Sequence, residues 1–369
     1  MSLSIGIVGL PNVGKSTLFN ALTKNSVPAE NYPFCTIDPS VGIVPVPDKR
    51  LGKLSELSKS EETIPAVVEF TDIAGLVKGA AEGEGLGNKF LSNIRETDAI
   101  AEVVRIFNDP NITHVHGEIN PLSDIEIINL ELIFADQSTV AKRLSNIEKD
   151  FKRGDKEAVA EKSVLEKILP VLESGKLANT IEFDKDELKI VRHLHLITMK
   201  PIMYVLNKKS GGDNLDQADS SSPEGQKWTE LVNFFNESDS KYVFVDAGLE
   251  LEIKDLEEND KLEFRSGTGV ETGINDLIKS GYELLDLITF LTTGEKETRA
   301  WTTKRNSTGP EAGTAIHTDF KDKFIRADVI ETEKLLEAGS YAVAREKGWV
   351  RTEGKEYIVK DGDVIEFKI

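Results

Sequence analysis

The feature that most constrains this chain is an apolar segment that leads directly into a glycine-rich loop. Ser4–Val8 has the composition of a buried strand, and residues 9–16 read G-x-x-x-x-G-K-S. Glycines in such a loop let backbone N–H groups surround phosphate oxygens at a helix N-terminus, which itself favours an anion. The lysine can reach the terminal phosphates of a nucleotide, and the serine hydroxyl can bind Mg²⁺. The pattern predicts a nucleoside triphosphate site whose phosphate-binding residues are Asn12, Val13, Gly14, Lys15, Ser16 and Thr17.

Apolar, strand-like segments recur along the chain and alternate with helical or loop segments. Such alternation is typical of βαβ units, so we expect an α/β P-loop domain with a mostly parallel sheet covered on both faces. The alternating stretch Pro39–Pro47 predicts an additional edge strand. The predicted core strands are Ile5–Leu10, Ala66–Phe70, Ala101–Phe107, Ile202–Leu206 and Tyr242–Val245.

The pattern changes between about residues 123 and 195, where apolar residues recur at helical spacing. One stripe comprises Val140, Leu144, Ile147 and Phe151, and a second, after a turn, comprises Val159, Val164, Leu165, Ile168 and Leu172. Two such stripes predict an antiparallel helical hairpin, a short coiled coil, inserted into the sheet domain. The polar faces are rich in Lys and Glu, which is typical of a solvated surface; a partner-docking arm is the alternative.

The last part of the chain has the pattern of a small α+β module with its own core. Its predicted elements are the strands Phe324–Val329, Glu356–Val359 and Val364–Phe367 and the helix Thr332–Ala338. We therefore predict three domains. They are a nucleotide-binding domain from residues 1–122 and 196–285, the helical insertion at 123–195, and the C-terminal module at 286–369.

Composition limits the partners and the cellular setting. The 369 residues carry a formal net charge of −19, and nucleic-acid affinity depends on neutralising phosphates, so the chain is not a general polyanion binder. A ribosome or RNA contact is expected through a local patch. A single cysteine, Cys35, cannot form an internal disulfide, and no apolar stretch approaches the roughly 18 residues of a membrane span. We expect a cytoplasmic protein without a membrane partner; its oligomeric state is left open.

A second motif supports the triphosphate site. The predicted strand that ends near Phe70 leads into D-x-x-G, formed by Asp72 and Gly75. In P-loop proteins the carboxylate orients Mg²⁺ and the glycine N–H meets the γ-phosphate. Thr36, in the linker between the two motifs, can add a hydroxyl to the metal when triphosphate is bound, although an exposed loop threonine is the alternative. The predicted metal-binding residues are Ser16, Thr36 and Asp72.

Leu76 follows the D-x-x-G glycine, where Ras-type GTPases have the glutamine that orients the attacking water. Leucine can neither donate nor accept a hydrogen bond. The chain therefore either hydrolyses slowly or positions its water in another way, and no residue is assigned as a catalytic base. Lys15 is assigned to phosphate stabilisation only.

The segment predicted to contact the base departs from the pattern of guanine-binding proteins. The sequence N-K-K-S at residues 207–210 stands where a guanine-binding protein has N-K-x-D. The aspartate of that motif accepts the N1–H and N2–H₂ donors of guanine, and Ser210 has no carboxylate with which to do so. Asn207 and Lys208 are retained as predicted nucleotide contacts. Of the serine–alanine pair in the second base loop of GTPases, only Ala247 is kept.

Three further residues have more than one interpretation. Phe107, near the end of a predicted strand, is a candidate for stacking on the base, with a core position as the alternative. His114 and His116 suggest a metal site or a general base, but two histidines without a third ligand are weak evidence for either.

Six segments have the pattern of a known family: Gly9–Thr17, Asn31–Gly42, Asp72–Gly75, Gly85–Ala99, Ala312–Phe320 and Phe324–Ala327. On these segments the chain resembles the Obg-like ATPase (YchF) family of translation-factor-related P-loop NTPases over essentially its full length. The C-terminal module is similar to the TGS domain of that family, a β-grasp fold. The resemblance implies a preference for ATP over GTP and slow hydrolysis with a hydrophobic residue at the glutamine position, which Leu76 matches. It also implies association with ribosomes and a role in regulating translation and stress responses.

Two departures from the family pattern concern the base. Ser210 replaces the glutamate of the family's N-x-x-E motif, and Asp246 and Gly248 depart in the second base loop. The preference for ATP therefore rests on the missing guanine-binding carboxylate together with the family resemblance. Asn12 matches an asparagine of potassium-stimulated relatives, which makes K⁺ stimulation a hypothesis.

The leading functional hypothesis is an Mg²⁺-dependent ATPase that works as a slow, nucleotide-dependent switch. A GTPase of the same fold is one alternative. A ribosome- or RNA-binding adaptor in which hydrolysis is incidental is the other.

Overall fold

The computed structural model describes residues 3–23, 40–73, 86–114, 117–256, 260–261, 263–265 and 273–369. Every structural statement below concerns these residues. Among their helices, none combines the length and the apolar character that crossing a membrane requires.

The strands, numbered in chain order, assemble into two six-stranded sheets and a two-stranded ribbon within the described residues. The first sheet contains β1 (Ser4–Val8), β2 (Val41–Pro45), β4 (Val67–Asp72), β5 (Ala99–Arg105), β7 (Ile202–Asn207) and β9 (Lys241–Val245). The second contains β3 (Glu62–Ile64), β10 (Leu287–Thr293), β11 (Glu297–Lys304), β12 (Arg326–Glu331), β13 (Arg351–Glu353) and β14 (Asp363–Lys368). The ribbon pairs β6 (Phe107–Asn108) with β8 (Asp213–Asn214).

The α-helices cover the sheets and form the insertion. Those before residue 200 are α1 (Lys15–Thr23), α2 (Lys49–Ser58), α3 (Leu86–Glu96), α4 (Pro121–Lys152), α5 (Lys156–Glu173) and α6 (Lys185–Leu194). Those after it include α7 (Pro223–Glu237), α8 (Ala247–Glu252), α9 (Ile274–Leu284), α10 (Gly309–Gly313), α11 (Asp319–Lys323), α12 (Thr332–Ala338) and α13 (Tyr341–Glu346).

The first sheet has the strand order β2-β4-β1-β5-β7-β9. All neighbours are parallel except the edge strand β2, which runs antiparallel to β4. The central strands β1, β5 and β7 are mostly buried and rich in apolar residues, as expected for a parallel sheet that is covered on both faces. Strand β1 lies between β4 and β5. The chain leaves β1 towards β2 and β4 on one side and leaves β4 towards β5 on the other, and this reversal opens a crevice at the carboxyl ends of the strands. The predicted P-loop α/β fold and its edge strand are confirmed.

The helical insertion is built from α4 and α5. The Asn120 side chain accepts a hydrogen bond from the backbone of α4, and Asp155 does the same for α5, so each helix starts at a capping residue. The two helices pack through a shared apolar core that includes Val140, Ile147, Val164, Leu165, Ile168 and Leu172. The prediction for Val159 is wrong, because Ala158 points inward and leaves Val159 45% exposed.

A buried carboxylate fastens the base of the insertion to the nucleotide-binding sheet. Asp136 on α4 is fully buried and accepts hydrogen bonds from the backbone N–H groups of Ile197 and Thr198, at 3.1 and 2.7 Å. The Thr198 hydroxyl donates a further bond at 2.7 Å. Arg95, at the end of α3, lies 3.6 Å from the same carboxylate. The side chain thus joins three segments that are distant in sequence.

The second sheet has the order β13-β12-β14-β10-β11-β3. Strand β3 comes from the first predicted domain, yet it pairs in parallel with β11. Arg50 of α2 adds an ion pair with Asp361 at 2.7 Å, while its side chain also bonds Asp48. The segment between β2 and β4 is therefore packed into the C-terminal region, and the three predicted domain limits stay predictions.

Two of the three predicted C-terminal strands and the predicted helix are present, whereas the third predicted strand is absent. The helix Thr332–Ala338 matches its prediction, whereas Glu356–Val359 forms no strand. There the backbone N–H of Tyr357 bonds the carbonyl of Gly354 in a turn, and only Ile358 makes a single bridge, to Thr308. The three consecutive apolar residues Tyr357–Val359 therefore belong to a turn with one isolated bridge rather than to a strand.

Candidate nucleotide-binding site

Loops from several strands meet at the carboxyl edge of the first sheet. The glycine-rich loop follows β1, Asp72 ends β4, Asn207 ends β7, and Asp246 follows β9. Parallel strands present their carboxyl ends at one edge, so residues up to about 240 positions apart in sequence converge there. This edge is the candidate site.

The glycine-rich loop has a backbone that ordinary residues adopt rarely. Gly9 and Gly14 have φ angles of +146° and +103°, and Asn12 has +63°. A Cβ on Gly9 would lie 2.5 Å from the backbone oxygen of Val103, and one on Gly14 would collide with the Asn207 amide. Only glycine meets both requirements, which is why these two positions of the motif are glycines.

Lys15 is a buried cation at the start of α1. Its side chain is 8% exposed, and Nζ donates a hydrogen bond to the carbonyl of Leu10 at 2.7 Å. Burial lowers its pKa to about 8, against the attraction of the Asp72 carboxylate, which raises it. The group is therefore a positive charge with little hydration, and a phosphate would relieve that cost.

Asp72 and Ser16 form the oxygen-rich side of the loop. Burial raises the pKa of Asp72, while the charge of Lys15 and a hydrogen bond with the Ser16 side chain lower it. Hydroxyl and carboxylate oxygens are the ligands that Mg²⁺ prefers. The donor set therefore fits a hard divalent cation, which P-loop NTPases generally use to bridge the phosphates.

Asn207 ties the two halves of the site together. Its side chain is 4% exposed; Nδ2 donates to the carbonyl of Val13 at 2.8 Å, and Oδ1 accepts from the N–H of Ala247 at 3.1 Å. Lys208 is buried as well, with Nζ 2.6 Å from Asp216 and facing the ring of Phe244. Both predicted contacts lie at the site, where Asn207 joins the phosphate loop to the base loop.

Ser210 and Asp246 are in direct contact beside this link. Both the backbone N–H and the hydroxyl of Ser210 donate to Oδ2 of Asp246, each at 2.6 Å. The other carboxylate oxygen accepts from the N–H of Leu249 at 2.9 Å and caps α8. The two residues are 36 positions apart in the sequence, so their contact is visible only in the fold. Two neighbouring substitutions in opposite chemical directions, one losing a carboxylate and one gaining it, were the available signal.

The remaining candidates have structural partners. Phe107 is 7% exposed beneath the guanidinium of Arg105, which supports its core interpretation. Nε2 of His114 lies 3.0 Å from the buried carboxylate of Asp124. Within the described ranges, no group of three His, Cys, Asp or Glu side chains could hold a metal ion. His116 lies outside those ranges.

Several predicted residues of the site cannot be placed. Thr36, Gly75 and Leu76 lie outside the described residues, so their roles stay predictions. Of the others, Asn12 donates its side-chain amide to the carbonyl of Thr113 at 3.1 Å. Thr17 is half-buried in the first turn of α1.

The chain is similar to known proteins over its whole length. A family model described as "50S ribosome-binding GTPase" matches residues 4–134, and one described as "Protein of unknown function (DUF933)", named YchF-GTPase_C, matches residues 287–369. The protein named "Ribosome-binding ATPase YchF" of Bacillus subtilis is 50% identical, covering 100% of this chain and 99% of the relative. Its namesake in Escherichia coli O157:H7 is 48% identical with the same coverage.

A solved structure extends the similarity to three dimensions. The "Structure of the Schizosaccharomyces pombe YchF GTPase" superposes with a TM-score of 0.86 at 34% identity. It covers 100% of this chain and 98% of that one. The similarity therefore includes the helical insertion and the C-terminal region as well as the nucleotide-binding sheet.

Proposed function

Because the chain belongs to the YchF family of P-loop NTPases, as its motifs predict, we propose that it is an ATPase that acts as a slow nucleotide-dependent switch. The observation that carries this proposal is the buried ammonium of Lys15, next to the carboxylate of Asp72 at the mouth of the phosphate loop. A poorly hydrated cation gains most from an anion that replaces its lost water. A triphosphate supplies that anion.

The proposal assigns a role to each predicted residue that binds phosphate or metal and to Asn207. The backbone N–H groups of residues 12–17 and the Lys15 ammonium bind and orient the phosphates. Ser16, Thr36 and Asp72 would hold Mg²⁺, which supplies charge neutralisation for the phosphates when it is bound. Asn207 keeps the base loop in register with the phosphate loop through Val13.

Turnover is expected to be slow without a partner. Leu76 stands where a glutamine orients water in Ras-type enzymes, and an apolar side chain cannot do so. A stimulating partner would then have to complete the site. Phosphate release measured with and without ribosomes tests this, and rapid turnover of the isolated protein contradicts it.

Preference for ATP is the finer part of the proposal. It is supported by Ser210, whose side chain has no carboxylate to accept the guanine donors, and by the relatives named ATPase. GTP is the second candidate, because the matching family model and the fission-yeast structure carry the word GTPase in their names. Displacement of a fluorescent nucleotide by ATP and by GTP separates the two.

Ribosome binding, a cytoplasmic location and a role in regulating translation or stress responses belong to the same proposal. The names of the relatives support the first of these. Cosedimentation with ribosomes in the presence of ATP, ADP and no nucleotide tests it. Stimulation by K⁺ through Asn12 is a further proposal, and equal hydrolysis rates in K⁺ and Na⁺ buffers would remove it.

The decisive test of the triphosphate site is Lys15→Ala. The variant should lose measurable ATP binding in calorimetric titration, because the phosphates lose their only buried cation in the described loop. Lys53→Ala, which removes an exposed lysine of α2, is the matched control and should bind normally. Tight ATP binding by Lys15→Ala contradicts the proposed function.

A further inference from the structure

The two base loops share one carboxylate, and it stands in the second loop. Ser210 follows β7 and Asp246 follows β9, and these strands are hydrogen-bonded neighbours. Further bonds hold the loops side by side, from the N–H of Lys208 to the carbonyl of Val245 and from the N–H of Ala247 to Asn207. The contact between Ser210 and Asp246 is therefore part of a rigid junction rather than a surface encounter.

The Asp246 carboxylate has little capacity left for a ligand. It is 5% exposed and accepts three hydrogen bonds from this chain, two from Ser210 and one from the N–H of Leu249. A carboxylate offers about four acceptor positions. Its charge is thus largely satisfied by the protein, and guanine donors would have to compete with bonds that are already made.

The same carboxylate limits what position 210 can be. The Ser210 hydroxyl lies 2.6 Å from Oδ2 of Asp246. An aspartate introduced at that position would bring a second carboxylate against the first, and two carboxylates so close cannot both ionise easily. A single serine-to-aspartate change would therefore not restore an effective guanine contact.

We propose that Ser210 and Asp246 act as one specificity pair for the base. Asp246 is the positioning residue: it fixes the Ser210 hydroxyl and excludes a carboxylate from position 210, so that guanine selection is blocked twice. Ser210 stands at the sequence position where guanine-binding proteins have their carboxylate. This inference rests on the proposed preference for ATP and explains how this chain maintains it without the glutamate of its family motif.

The test is a double-mutant cycle on base selectivity. Wild type, Ser210→Asp, Asp246→Ser and the double variant are titrated with ATP and GTP against a fluorescent nucleotide, and the ratio of the two dissociation constants is compared. Serine is a good helix cap, so Asp246→Ser should keep α8 in place. Thermal unfolding of each variant checks that it is folded.

The pair predicts strong non-additivity. Ser210→Asp alone should change the ratio less than about threefold, and Asp246→Ser alone should leave it nearly unchanged, whereas the double variant should shift it towards GTP by at least about tenfold. A purely structural role would weaken ATP and GTP equally and leave the ratio constant in all four proteins. That result, or a full shift from Ser210→Asp alone, overturns the pair.

The outcomes also separate this inference from the proposed function. A wild-type protein that prefers ATP but gives an additive cycle refutes the pair and leaves the ATPase proposal intact. A wild-type protein that prefers GTP refutes the ATP preference, whatever the cycle shows. Absence of binding to either nucleotide refutes both. Inosine triphosphate, which lacks the 2-amino group of guanine, should gain less than GTP in the double variant.

Discussion

Asn207→Asp is the substitution that most directly tests how the site is held together. The wild-type amide donates to the carbonyl of Val13 at 2.8 Å and accepts from the N–H of Ala247 at 3.1 Å, at a position that is 4% exposed. The change is isosteric and keeps the acceptor, but it replaces the donor with a carboxylate oxygen facing a carbonyl oxygen. The hydrogen bond to Val13 is therefore lost, and two oxygen atoms that repel each other take its place, while the packing is unchanged.

The magnitude follows from burial. Leaving a buried polar group without its partner costs about 1–3 kcal/mol, and more when the new group is charged. We expect the free energy of unfolding to fall by about 3 kcal/mol at pH 7. Asn207→Ala leaves both Val13 and Ala247 without their partner, so its free energy of unfolding should fall by a similar amount.

The pH dependence distinguishes the two variants. A protonated carboxyl can again donate to Val13, so the introduced group should have a folded-state pKa above its unfolded value of about 3.9. Its penalty is present at neutral pH and shrinks as the pH falls through the folded-state pKa. The deficit of Asn207→Asp relative to wild type should therefore be smaller at pH 5 than at pH 7, whereas that of Asn207→Ala should stay constant.

Urea unfolding of the nucleotide-free protein at both pH values measures these differences. ATP titration of the same samples should show weaker binding for both variants, because Asn207 joins the phosphate loop to the base loop. Wild-type stability for Asn207→Asp at pH 7 would refute the assigned hydrogen bond. An equal deficit at both pH values would refute the argument from protonation.

Three further predictions concern charged side chains. Triphosphate affinity should fall about tenfold between pH 7 and pH 9, because the charged ammonium binds the phosphates and burial lowers the pKa of Lys15 to about 8; calorimetry should record proton uptake at pH 9, and a flat profile contradicts this. Asp136→Ala should lower the free energy of unfolding by about 3 kcal/mol, since three buried donors lose their acceptor; urea unfolding close to wild type would count against it. For Arg50 and Asp361, alanine substitutions singly and together should give a coupling energy of about 0.5–1 kcal/mol in the same assay, because both side chains are partly exposed; strict additivity would mean that the ion pair does not brace the C-terminal region.

Much of this site is local in sequence and could therefore be predicted. The strand, the glycine-rich loop and the following helix are consecutive in the sequence. Gly9 and Gly14 have positive φ angles, and the local motif is enough to predict that glycine is needed there. The same holds for the turn between α4 and α5 and for the helix Thr332–Ala338, where capping and periodicity lie within a few residues. The family resemblance, confirmed by relatives that cover the whole chain, rests on such local motifs.

Contacts between distant segments could not be read in the same way. Strand β3 is three residues long, and nothing in its own composition says that it will pair with β11, more than 230 positions later. Val159 is nine residues before Ile168, which places it on the opposite side of the helix, and it is 45% exposed. Ala158, seven residues before Leu165, lies on the buried side instead.

The base loops show the same division most clearly. The sequence alone determined that a triphosphate site follows β1 and that the guanine-binding carboxylate is missing from residue 210. Only the tertiary structure decided that Asp246, 36 residues later, lies 2.6 Å from Ser210. Its carboxylate accepts hydrogen bonds from Ser210 and Leu249 of the same chain. Phosphate binding depends on backbone geometry that a continuous segment encodes. Base selection depends on the pairing of β7 with β9, which the packing of the whole sheet sets.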